Sequence, residues 1–273
     1  MLEDLSFYRN YYKYSGIDAT KIKIEYLKSL IDKNKIYKFI AFDKNQDLNN
    51  VKLNCLKNDM LWFSHYIYLN DKTEFQIQYN RRQVSKVTGM HSKGISIFVE
   101  MMKELYDVCS FTYGYDSYMW DAYANKGNGI CIVFEVHDYD MLYPVEYVEK
   151  QKIDYTAILI DAYSKTTREL LESGTPMAEL PFVTKNPMNG LMESFKEKEI
   201  RILYEPYGDE SLNGGFIKPK IKEEKEYRGK KVAYSDCKLS IDEIIIGNKC
   251  DKEIAKQIVE DCQKKKYNFR KIK

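Results

Sequence analysis

The chain has 273 residues, 44% of them hydrophobic, and a formal net charge of +2. That length holds one large domain or two small ones, and the hydrophobic share is ordinary for a globular protein. The near-neutral balance gives no global basic field, so charge does not indicate nucleic acid as a partner, and the 24 tyrosines fit an AT-rich codon bias better than a base-stacking set.

From the amino end, Met1, Leu2, Glu3 and Asp4 lack the apolar core of a secretory signal. Residues 1–34 read as helical, with Ile22, Tyr26, Leu27 and Leu30 at three-to-four spacing, so 1–35 is expected to be a helical N-terminal extension. A single α+β domain is expected over 36–273. Strands are predicted at 36–40 and 60–64, with a turn at 43–49 and a short helix to about 56 between them. Asn70, Asp71 and Glu74 form a polar cluster at a helix entry, where Asn70 or Asp71 would cap. A helix over 99–105, a strand over 108–112 and an aromatic helix or turn over 118–124 follow. Residues 130–136, after a Gly-rich stretch, make the clearest strand. Residues 152–174 read as a helix ended by Gly174, and the charged, Gly-containing 209–231 segment as a loop or exposed hairpin insertion. The chain closes with a strand at 241–246 and a helix capped by Asp251. Six cysteines without a CxxC and only three histidines argue against zinc and for reduced thiols, hence a cytoplasmic setting; no apolar run approaches a membrane span.

The stretch 195–204 carries the most chemistry. As a strand it would put Glu197, Glu199, Arg201 and Leu203 on one face and Lys198, Ile200, Ile202 and Tyr204 on the other. Two carboxylates about 7 Å apart repel by about 2.4 kcal/mol at an effective dielectric of about 20. Sequestering both needs Arg201 or a ligand cation. The plain alternative is a solvated ion row on an edge strand. Ser64 and His65, adjacent in a strand, would point to opposite faces and do not suit a hydrolase pair.

Several strings in order resemble a bacterial family without assigned activity, domain-of-unknown-function family 2971. They are Tyr37-Lys38-Phe39, Leu61-Trp62-Phe63-Ser64, Asn70-Asp71 with Glu74, Cys109-Ser110-Phe111-Thr112, Met119-Trp120-Asp121-Ala122-Tyr123-Ala124, the 127–134 block, the 195–203 strand and the 241–247 close. The resemblance spans about residues 36–270. Many members read His-Tyr-Thr where this chain has Tyr37-Lys38-Phe39, which weakens any mechanism needing an imidazole there.

The order of parts looks like a mono-ADP-ribosyltransferase plan. That resemblance implies a split mixed or antiparallel sheet flanked by helices, NAD as substrate, no metal, and an unknown acceptor macromolecule, in toxin or phage-defence biology. Under it, Glu199 would stabilise the ribose cation and Glu197 would orient the acceptor. Lys38 would touch a phosphate, Ser64, Ser110 and Thr112 would border the nicotinamide pocket, Trp120 or Tyr123 would stack on a ring, and Arg201 would offset the acids. The alternative is a non-enzymatic nucleotide- or partner-binding module in which Glu197, Glu199 and Arg201 are a structural salt-bridge network.

Overall fold

The structure is a computed structural model and describes residues 6–11, 13–14, 16–69, 78–103, 106–147, 155–169, 182–185, 194–204 and 229–272. Helices α1 (Ser6–Tyr11) and α2 (Gly16–Leu30) open the chain. A β–α–β unit follows: β1 (Lys35–Ala41), α3 (Gln46–Lys57) and β2 (Met60–His65). The Asn45 side chain caps α3 by accepting the Leu48 amide at 3.0 Å, so the helix begins at Gln46, inside the stretch 43–49 expected as a turn. After α4 (Arg81–Thr88) and α5 (Ser92–Met102) come β3 (Asp107–Thr112), α6 (Ser117–Tyr123) and β4 (Gly129–Val136). Short strands β5 (Leu142–Pro144) and β6 (Glu146–Tyr147) precede α7 (Thr156–Glu169), then β7 (Thr184–Lys185) and β8 (Glu199–Tyr204). The chain ends with β9 (Gly229–Ala233), β10 (Leu239–Ile246), α8 (Lys252–Lys265) and β11 (Asn268–Lys271). Asp251 caps α8, accepting from the Glu253 and Ile254 amides.

The molecule is a mixed α/β protein whose mixed open sheet is flanked by helices. β4 lies inside the sheet, antiparallel to β1 on one edge and to β10 on the other. Of its residues only Glu135 is exposed, which explains the unbroken apolar run 130–134. Gly129 lets β1 close on β4, since a Cβ there would sit 2.3 Å from the Ile40 carbonyl oxygen. One sheet face carries Ile36, Phe111, Phe134, Ile200 and Ile244, all buried in one cluster that also takes in Leu56 of α3 and Ile258 of α8. Burial of each such side chain is worth about 1.5–3 kcal/mol.

β3 is where the sheet divides. β8 runs along one whole edge of it, from Asp107↔Tyr204 to Thr112↔Glu199. On the other edge β1 meets it at Tyr37↔Thr112, and β2 at Ser64↔Val108 and His65↔Asp107. Between those points β1 and β2 part, and α3, which joins them, covers the gap.

Several expectations are corrected. The strand expected from 195 begins at Glu199; Ser194–Glu197 is a 3-10 turn, and Lys198 has a φ of 47°, outside extended backbone. The backbone turns at Lys198: its carbonyl still accepts the Tyr113 amide at 3.0 Å, but its positive φ ends the extended run there. Nor is β8 an edge strand with a solvated ion row, because β5 covers its other side and Glu197, Glu199 and Arg201 are buried. The helix expected over 99–105 begins at Ser92, its Gly94 tolerated inside the turn pattern. Residues 229–231, assigned to the charged insertion, start β9, which pairs with β2. α4, β5, β6, β7 and β11 were not expected; all but α4 are strands of only two to four residues, too short to show a period. The polar cluster Asn70, Asp71 and Glu74, Gly174, and residues 209–228 lie outside the described residues.

Candidate functional site

The parting of β1 and β2 opens a cavity of about 860 Å³ under α3. That is within the range of small-molecule sites, roughly 300–1,000 Å³. Its walls are mostly apolar: Leu48, Val51 and Leu56 from α3, Leu61 from β2, Ile132 from β4 and Tyr234 after β9. Cys55 and Cys109 also border it, both free thiols.

Three lysines border this space: Lys38 on β1, Lys52 on α3 and the exposed Lys231 on β9. Lys38 Nζ donates to the Ser110 carbonyl at 2.9 Å and lies 5.2 Å from the Phe111 ring centroid. It thus takes the place of the strand partner that β3 lacks at the gap. Lys52 Nζ donates to the Ala41 carbonyl at 2.7 Å. Burial lowers the Lys52 ammonium's pKa, an effect Asp43 only partly opposes. Burial likewise pushes the Cys109 thiol up, against the pull of nearby Lys38. Asp47 is the one carboxylate on the described wall, and among the described residues no carboxylate lies within 4.0 Å of any of the three ammonium groups.

The opposite face of β3 and β8 holds a buried ion cluster. Arg201 Nε donates to Glu199 Oε1 at 2.7 Å, and Arg201 Nη1 to the Phe182 carbonyl at 2.9 Å. Lys185 Nζ bridges the two acids, 2.8 Å from Glu197 Oε2 and 3.2 Å from Glu199 Oε2. Tyr123 donates to Glu197 Oε1 at 2.5 Å and Tyr147 to Glu197 Oε2 at 3.2 Å. Burial alone would raise the Glu199 carboxyl; Arg201 and Lys185 outweigh it and bring its pKa down to about 2. Burial, then the neighbouring Glu199 and Glu197 carboxylates, push the Tyr147 hydroxyl well up.

The expected site residues therefore fall into two groups. Lys38, Ser64 and Ser110 border the cavity. Glu197, Glu199, Arg201 and Tyr123 belong to the ion cluster, and none of them lines the cavity. Thr112 spends its hydroxyl on the Gly114 backbone in the turn after β3. Trp120 packs edge-on to Phe39 at 5.2 Å, in a buried cluster with Cys131 and Val133. Ser110 lies between the two: its carbonyl accepts from Lys38, and its partner on β8 is Arg201.

Lys52, Lys231, Lys185 and Tyr147 escaped sequence reasoning. The run from Phe182 to Thr184 is β-favouring and could have disclosed β7, yet nothing local ties Lys185 to Glu197. Comparisons with models of protein families, with curated proteins and with solved structures find no match. Among the described residues no helix is long and apolar enough to cross a membrane, and no three His, Cys, Asp or Glu side chains are grouped to hold a metal ion.

Proposed function

We propose that the protein is a binding module for a small anionic molecule, held in the cavity where β1 and β2 part. One observation carries this reading. Three lysines border a mostly apolar cavity of about 860 Å³, and among the described residues no carboxylate lies within ion-pair distance of any of their ammonium groups. Burial disfavours the Lys52 ammonium, and an anionic ligand offsets that cost. In this reading the Glu197–Glu199–Lys185–Arg201 cluster is structural. Calorimetric titration with a panel of anions, NAD included, tests it. Saturable binding that drops at least ten-fold in Lys38→Ala and Lys52→Ala supports it; no binding by any anion rules it out.

A second reading keeps glycosyl transfer from NAD to a macromolecule, on an ADP-ribosyltransferase-like fold within the family that the sequence resembles. It is favoured by Glu199, which is held ionised and shares a register row with Tyr37 and Thr112. An ionised carboxylate is what a developing ribose cation requires. Incubation with labelled NAD and candidate acceptors tests it, and undiminished transfer by Glu199→Gln would remove that residue from the chemistry.

A further inference from the structure

The walls of the cavity say more about its ligand than its sign. Lys231 and Trp62 are directly opposed in the β2–β9 register, so their side chains start about 5 Å apart. The indole lies across Gly229, where a Cβ would come within 2.7 Å of two of its ring carbons. Glycine at this position lets the strand backbone act as a rest for the ring. The half-buried indole, fixed in this way, borders the cavity as a flat, pre-set surface. Lys52 lies one helical turn before Cys55 on the same side of α3, and the Cys55 thiol feels both Lys231 and Lys38. All three lysines border the same cavity as the indole.

Charge narrows the class. Three lysines against Asp47 leave the described wall at +2. A phosphomonoester carries about −1.5 to −2 near neutral pH, whereas each phosphate of a dinucleotide bridge carries a single charge. Lysines act on phosphate as point charges and need no bidentate geometry. The carboxylate of Asp47, in the first turn of α3, disfavours a phosphate at that helix end and leaves the lysine group as its seat.

Resting on the cavity being the binding site, we infer that it takes a phosphomonoester of a flat aromatic body, with the ring against Trp62 and the phosphate among Lys38, Lys52 and Lys231. Titration calorimetry of the full chain with phenyl phosphate, adenosine monophosphate, adenosine, inorganic phosphate and NAD tests this. The two aromatic monoesters should bind at least ten-fold more tightly than the other three. Lys52→Ala should cost ten-fold or more for both monoesters, and Trp62→Leu should reduce their advantage over inorganic phosphate. Thermal melts of each variant identify any that fail to fold; for those, the wild-type pH profile decides, with affinity falling as the second phosphate proton is added near pH 6. NAD binding as tightly as adenosine monophosphate would overturn the ligand class and leave the anion site standing. Inorganic phosphate binding equally well would overturn the aromatic half. If none of the anions binds, the anion site itself fails, and this inference with it.

Discussion

On one side of β3, two carboxylates and two cations are buried together, and each acid oxygen has a donor. On the other, three lysines border an open cavity with no carboxylate in ion-pair reach among the described residues. The residue types overlap, and Lys185 and Lys38 differ mainly in what the chain places opposite them. Where the protein supplies the counter-charge, the group serves the fold. Where it supplies only a backbone carbonyl, the group keeps donors for something else.

Four substitutions can break or sharpen that contrast. The largest effect is expected from Arg201→Met, which strands a buried carboxylate and should cost about 3–5 kcal/mol in urea unfolding. Next is the pH dependence that Glu199 confers. Its carboxyl sits at about 2 when folded, against an ordinary 4.5. At about 1.4 kcal/mol per pH unit this is worth on the order of 3 kcal/mol. The folded value is the depressed one, so the contribution is complete above pH 4.5 and lost as pH falls toward 2. The stability gap between wild type and Glu199→Gln should therefore narrow by about half on acidification from pH 5 to pH 3 and nearly close by about pH 2; a constant gap would show that the charge is not what stabilises. Tyr123→Phe removes one hydrogen bond to an ionised acid and should cost about 1.5 kcal/mol in the same assay. Smallest is Lys38→Met, which frees only the Ser110 carbonyl and should cost about 1 kcal/mol or less, while losing anion binding. A loss as large as that of Arg201→Met would make Lys38 a structural residue too.

The ion cluster was half legible in the sequence. Glu199 and Arg201 are two apart, and strand alternation puts them on one face without knowledge of the fold. The demand for a cation beside two neighbouring acids was also readable, and Arg201 meets part of it. Lys185 and Tyr123 were not, because they lie 12 and 74 positions from Glu197 and only the topology brings them there. Glu197 itself joins the cluster from a turn, because the backbone leaves the extended region at Lys198, which nothing in the local residue pattern announces. The strong strands at β2 and β4 were visible in their apolar runs. The cavity had no signature of that kind. It arises from two strands sharing one edge of a third, a fact of register that no window of residues records.

Ser110 occupies a singular position in this arrangement. Its peptide oxygen holds Lys38, and its partner on β8 is Arg201, so one strand position has the cavity on one side and the ion cluster on the other. A guest that draws Lys38 away frees that oxygen alone, while Arg201 and Lys185 keep Glu199 anchored. Adaptation to cargo and resistance to unfolding thereby meet at a single strand position without sharing a bond.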